Sequence, residues 1–200
     1  MNFSMFVRFL TFCYIAVNST VAFAHPGHGI GGVLHGFFHP ISGLDHFLTA
    51  LAIGVWAAET GKKGLLLFPA TFIAASIFGG ILGFNGYVLP FQEMGILMSI
   101  AFLGFALLTS VKLYTYIAIP IIASFGIFHG NAHGSEIIQG VSAINYCIGF
   151  TLATAFLHLS GTFCVGFLRK YLRSSNALFV IRAFGSAILL SAVFICLGIL

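Results

Sequence analysis

The sequence predicts an all-α integral membrane protein, with about six transmembrane helices after an N-terminal signal peptide. Two observations predict it. Of 200 residues, 60% are hydrophobic and only 6% charged, and the few Lys and Arg fall in alternate connections between long apolar runs. A soluble domain carries about 25% charged residues, so a water-soluble enzyme, a disordered chain and a nucleic-acid binder are excluded as first readings. Eight Lys/Arg against four Asp/Glu are too sparse for a phosphate-tracking surface. Cys13, Cys147, Cys164 and Cys196 lie in apolar runs with no CxxC, which supports neither a disulfide framework nor a zinc ribbon.

Residues 1–24 read as the signal peptide. Arg8 ends a short basic region, 9–17 are apolar but short for a span, and polar Asn18-Ser19-Thr20 lead to the small-x-small site Ala22-Phe23-Ala24. Cleavage there starts the mature chain at His25; the alternative is an uncleaved first helix. Either way residue 25 is delivered to the non-cytoplasmic side, and residues 25–200 form a single six-helix membrane domain. A span takes roughly 20 apolar residues, and six candidates follow, at about 41–58, 65–84, 91–110, 113–128, 142–168 and 177–200. Pro40 suits the first turn of the first of them, because its missing N–H would be unpaired there anyway.

Lys62, Lys63, Lys112, Arg169, Lys170 and Arg173 occupy alternate connections, whereas 25–40, 85–90 and 129–141 hold no Lys or Arg. By the positive-inside rule the basic loops face the cytoplasm of a bacterial inner (plasma) membrane, and the mature N-terminus and C-terminus face the periplasmic side. Arg182, about 9 Å into the last span, is near enough to reach back to the inner interface.

On this topology seven of the eight histidines collect at the outer face: His25, His28, His35, His39, His46, His129 and His133. His158 alone lies about 16 Å deep, near the bilayer midplane. The first constellation, His39-Pro40-Ile41-Ser42-Gly43-Leu44-Asp45-His46, places His39 and His46 two turns apart on one helical face. Asp45 is an ionisable group at a depth where such groups are expensive, and hence a functional candidate; a helix-end carboxylate facing water is the plainer reading. The second is Phe128-His129-Gly130-Asn131-Ala132-His133-Gly134-Ser135-Glu136. On a helix His129, His133 and Glu136 share a face, as a chelating cluster requires. Gly130 and Gly134 weaken that helix, so a broken turn exposing carbonyls is the alternative, and a polar exit loop is the bland one.

Together the two motifs supply four imidazoles and two carboxylates, with no thiolate. That set suits Ni²⁺, Co²⁺ or Zn²⁺ rather than Cu⁺, Mg²⁺ or Ca²⁺, and ligand chemistry alone does not choose among the three. His25, His28 and His35 form an outer fringe, either a capture chelate or a solvated leader. His158 is a second station, a proton relay, or a histidine bonded to a neighbouring Ser or Thr. Met94 and Met98 read as packing, and Gly79, Gly80, Gly83 and the Gly95/Ser99 pair as close helix contacts.

HPxxGxDH at 39–46, FHGxAHGxE at 128–136 and the His25-Pro26-Gly27-His28 leader resemble the HupE/UreJ family of hydrogenase and urease accessory membrane proteins. Both motifs match in full and the likeness covers nearly the whole chain. The resemblance implies a permease for nickel, or cobalt in some members, with His39, Asp45, His46, His129, His133 and Glu136 as its functional positions. No permanently bound cofactor is implied, only the transported ion and the surrounding lipid. A homo-oligomer and hand-off to nickel- or cobalt-enzyme maturation proteins stay open. The alternatives are an intramembrane zinc-dependent hydrolase using Ser42 or Ser135, and a metal-capturing subunit of a larger transporter.

No GxxxxGK[ST] loop occurs, so transport by this chain alone is expected to run on the membrane potential. A divalent cation gains about 4.6 kcal/mol per 100 mV, twice the ~2.3 kcal/mol of one charge. Only the neutral imidazole binds a metal, and protonation competes with it. Metal uptake is therefore expected to fall as the outer pH drops through roughly 6.5; a rate that stays flat between about pH 7.5 and 5.5 would exclude imidazole ligation.

Overall fold

A computed structural model of the chain describes residues 30–137 and 141–199; the signal-like segment, His25, His28 and Cys13 lie outside them. The described residues form seven α-helices and no strand: α1 (Ile30–Ser42), α2 (Leu44–Thr60), α3 (Lys62–Phe84), α4 (Gln92–Thr109), α5 (Thr115–Ser135), α6 (Ala143–Tyr171) and α7 (Ser174–Cys196). Helices α3 to α7 are each long and apolar enough to cross a membrane. Helices α1 and α2 meet that test only as a pair, bent by 81°, which brings the number of spans to as many as six.

The bend corrects the expected start of the first span. Pro40 sits near the end of α1, not in the first turn of a helix. It has no N–H to return to the carbonyl four residues back, and α1 stops within a turn. Gly43 then takes an extended conformation (φ −81°, ψ 116°) and α2 starts in a new direction. A Cβ at Gly43 would stand 3.0 Å from Asp45 Oδ1 and 3.3 Å from His46 Nδ1, so the missing side chain leaves room for that pair. His39 and His46 therefore lie on two helices rather than two turns of one.

The second correction concerns α5, expected to end near residue 128. It continues unbroken to Ser135 and carries His129 and His133 as helical residues. Gly130 and Gly134 do not break it, because they are where α5 meets α3. A Cβ on Gly130 would fall on the Ser76 carbonyl, and one on Gly134 on the Gly80 carbonyl; in return Gly79 and Gly83 of α3 lie against the backbone of Ile127 and Asn131. Small residues that let two backbones touch are the usual device where lipid removes the hydrophobic drive between helices. The same reciprocal arrangement joins α1 to α6 (Gly36, Gly149), α2 to α6 (Gly54, Gly161) and α4 to α7 (Gly104, Gly185).

Large apolar side chains such as Phe78, Ile81, Leu152, Phe156, Leu159 and Phe163 point outward, as hydrocarbon solvent permits. Met94 and Met98 join them, more than half exposed, so they neither pack in the bundle nor face the histidines. Inside, Trp56, Phe68, Ile53, Ile100, Leu103, Leu107 and Ile122 form the core.

The bundle has two chemically distinct ends. At one, Trp56 Nε1 donates to the Val111 carbonyl (3.0 Å) and Arg169 pairs with Glu59 (2.8 Å). Arg182 reaches back to Ser110 Oγ (3.0 Å). The short connections carrying Lys62, Lys112 and Arg173 belong to this end. The α1–α2 bend and the far end of α5, with their histidines, form the opposite one.

Glycine's role as a contact residue is testable within one helix. A Cβ at Gly161 would strike the Leu51 carbonyl and stand 2.9 Å from Val55 N, whereas nothing lies within 4 Å of one at Gly166. Gly161→Ala is expected to destabilise the detergent-solubilised protein by about 1–3 kcal/mol, and Gly166→Ala to be neutral or stabilising by up to about 1 kcal/mol. Thermal unfolding followed by circular dichroism reads both.

Candidate metal centre

The cluster is assembled from α1, the first turn of α2, the end of α5 and one residue of α6. His35 and His39, four apart on α1, share a face with ring centroids 5.9 Å apart. The bend then presents His46, whose ring lies 4.2 Å from that of His133 and 4.7 Å from that of His129. His39 approaches His133 from the other helix at 4.8 Å. Glu136, just beyond α5, reaches His39 Nε2 (3.2 Å). His39, His133 and Glu136 each bring a donor atom within 4.8 Å of the others. Tyr146 of α6 closes the side, with its hydroxyl 3.4 Å from His133 Nδ1.

Exposure falls steeply inward. The side chains of Glu136 and His39 are 56% and 34% exposed, that of His46 14%, and His133 and His129 are almost fully covered. Polar atoms buried to that degree are normally hydrogen-bonded. Here Nε2 of His46 and Nε2 of His133 are buried with no partner. Unpaired imidazole nitrogens in neighbouring rings are the donor type that a borderline divalent cation takes.

Asp45 stands differently from its five companions. Its Oδ1 accepts both the backbone N–H of His46 (2.8 Å) and the imidazole Nδ1–H of the same residue (2.7 Å). The carboxylate thus backs His46 rather than joining the group made by His39, His133 and Glu136. A ligating histidine whose second nitrogen is held by a carboxylate is the usual arrangement around bound metals.

A family model described as HupE / UreJ protein matches residues 13–195. The chain belongs to the HupE/UreJ family. A relative, Protein HupE of Rhizobium leguminosarum bv. viciae, is 38% identical over 142 residues, which cover 71% of this chain and 74% of that one. No solved structure matches the chain.

In this HupE/UreJ chain the two motifs meet at one end of the bundle. The two hydroxyls named in the hydrolase alternative bond locally: Ser42 Oγ donates to the His39 carbonyl (2.9 Å) and Ser135 Oγ to that of Ala132 (2.8 Å). His158 lies apart from the cluster. Its partner is the Ala50 carbonyl, 2.7 Å from Nδ1, rather than the Ser or Thr of one of its three readings; its Nε2 is unpartnered. The Phe72 ring neighbours both histidines, 5.6 Å from His129 and 5.5 Å from His158.

Four residues of the site escaped the sequence reading. Ser99, read as a packing residue, contacts His129 Nε2 (2.8 Å), and Thr49 stands behind it (3.3 Å). Tyr146 flanks three histidines. Asn131, fully buried, accepts from Leu89 N–H (2.8 Å) and donates to the Tyr87 (2.8 Å) and Gly79 (3.3 Å) carbonyls. A lone polar residue in an otherwise apolar helical run was the available signal for Ser99 and Thr49, and Asn131 stood inside the second motif between its two histidines.

Asn131 thereby staples the α3–α4 connection beside the cluster. Asn131→Ala removes the partner of the half-buried Leu89 donor and of the Tyr87 acceptor, at about 0.5–1.5 kcal/mol per hydrogen bond. Hydrogen exchange is expected to quicken at Leu89 and its neighbours while the α6 amides stay protected.

Proposed function

We propose that the chain is a secondary permease that carries a divalent transition-metal ion, Ni²⁺ first and Co²⁺ next, inward across the bacterial inner membrane. On this reading His39, His46, His129, His133 and Glu136 are ligands taken in sequence, Asp45 holds His46, and the histidine end faces outward. The observation that carries it is the pair of buried, unpartnered Nε2 atoms on His46 and His133, reached from the half-exposed His39–Glu136 pair. Membership of the HupE/UreJ family supports the same direction. So does the gathering of the basic connections at the opposite end, which agrees with the positive-inside rule.

The donor set explains the class of ion. Imidazole with carboxylate suits Ni²⁺, Co²⁺ and Zn²⁺, while thiolate-seeking Cu⁺ and all-oxygen Mg²⁺ find no match. Spreading the ligands along a path of falling exposure lets an ion exchange them stepwise, as conduction requires, instead of being locked in a closed tetrahedral cage. His158, with a free Nε2 beyond Phe72, is the next group the ion meets. His25, His28 and His35 serve capture ahead of the site.

Reconstitution into liposomes tests the reading. The chain alone is expected to take up radiolabelled Ni²⁺ under an inside-negative potential, with Co²⁺ and Zn²⁺ run as competitors. Asp45→Asn is expected to abolish uptake from trace metal without loss of insertion, and His46→Ala and His133→Ala to reduce it at least tenfold. Absence of uptake together with one tightly retained zinc would establish the hydrolase instead. Uptake that appears only with added protein components would make the chain a capture subunit.

A further inference from the structure

We infer that Ser99, braced by Thr49, is a positioning residue that fixes the tautomer of His129, so that His129 offers Nδ1 to the ion while His46 and His133 offer Nε2. The inference deepens the permease reading and rests on it for the identity of the ion. The available hydrogens decide the tautomer. A serine hydroxyl has one proton to give and two lone pairs to receive with. Ser99 Oγ gives its proton to the carbonyl of Ile96, 2.6 Å away in the preceding turn of α4. Its two remaining contacts, to His129 Nε2 (2.8 Å) and Thr49 Oγ1 (3.3 Å), must then both be accepted bonds. All three capacities of the hydroxyl are used once, and no other arrangement of its single proton satisfies the Ile96 bond.

His129 must therefore carry its proton on Nε2, which leaves the lone pair on Nδ1. The opposite holds one helix away. Asp45 Oδ1 is a pure acceptor and sits 2.7 Å from His46 Nδ1, so His46 carries its proton on Nδ1 and its lone pair on the unpartnered Nε2. His133 has the Tyr146 hydroxyl on its Nδ1 side (3.4 Å) and an unpartnered Nε2. Ser99 and Thr49 are fully buried, as is His129, so water does not compete for these bonds and no rotation into solvent relieves a wrong tautomer. A partner on the non-ligating nitrogen both orients the ring and raises its basicity, and its loss costs 10–100-fold in metal affinity.

The tautomer is read in metal-free protein, so the outcome is separate from whether the chain binds or moves an ion. Histidine-¹⁵N-labelled protein in lipid, held at alkaline pH to keep every imidazole neutral, is expected to show His129 protonated on Nε2. Its signal is identified by loss in His129→Gln. Ser99→Ala is expected to abolish that preference and to weaken Ni²⁺ binding 10–100-fold, measured by calorimetry at unchanged stoichiometry. Ser99→Thr, which keeps the hydroxyl, is expected to restore both. Nδ1–H on wild-type His129 overturns the inference on its own, even if Ser99→Ala fails to fold. A folded Ser99→Ala protein in which either the tautomer or the affinity stays at the wild-type value overturns it as well, because Ser99 would then act only by filling space.

Discussion

Two imidazole nitrogens, Nε2 of His46 and Nε2 of His133, are buried without a hydrogen-bond partner, and leaving a buried polar atom unpaired costs about 1–3 kcal/mol. The surrounding structure has to hold them in that state against two cheaper ones: rotation of the rings to water, or collapse of the rings onto protein acceptors. Rotation is blocked because each ring is gripped at its other nitrogen or its face. Asp45 holds His46 at Nδ1, and Phe150 lies 4.6 Å from the ring of His133. Collapse is blocked because the helices that carry the rings are themselves fixed. Helix α5 lies backbone to backbone on α3 through five glycines, and α1 and α2 lie on α6 through four more.

The second motif combines both duties on one helix. His129 and His133 point toward α1 and α2, while Gly130 and Gly134, each one residue on and so turned by about 100°, rest on α3. A larger residue at either glycine would push α5 off its neighbour and carry both imidazoles with it. The glycines in FHGxAHGxE therefore set where the imidazoles stand without touching them. The first motif does the same with a different device. Pro40 and Gly43 end one helix and turn the next by 81°, so that His39 and His46 approach His133 from two directions, which one straight helix would not allow.

The all-helical class, the number of apolar runs and the gathering of charge at alternate connections were legible because each is a property of composition along the chain. The histidine cluster was legible as a set of residue types for the same reason. Its geometry was not. A proline followed three residues later by a glycine reads equally well as the start of a helix or as the joint between two, and only packing of α1 on α6 decides it. Gly130 and Gly134 read as helix breakers by propensity; contact with α3 overrides that propensity. Asp45 was legible as an expensive carboxylate, but its partner was the adjacent residue, a local bond that periodicity does not reveal. Ser99 and Thr49 were legible only as hydroxyls in apolar runs, and their role was not, for a further reason. A hydroxyl in an apolar helix usually bonds its own backbone, as Ser124, Ser160 and Ser186 do here, and nothing local marks the one that also bonds a histidine 30 residues away on another helix.

Charge balance gives the cluster a direction. Of the chain's four carboxylates, Asp45 and Glu136 stand in the histidine cluster, Glu93 lies in the first turn of α4, and Glu59 is paired with Arg169 at the other end. In the proposed permease an arriving divalent ion therefore meets two negative charges beside its first ligands, and its own charge is neutralised where it sheds water. Past His129 the buried groups toward His158 are neutral: Phe72, Thr154 and the carbonyl of Ala50. A bare divalent charge moved into that region has no compensating carboxylate and is costly in a low dielectric. The membrane potential supplies about 4.6 kcal/mol per 100 mV against that cost. Capture and passage thus fall to different parts of the bundle. In the proposed permease the histidine cluster sets which ions are held and at what concentration, whereas the neutral stretch beyond Phe72 makes inward movement depend on voltage.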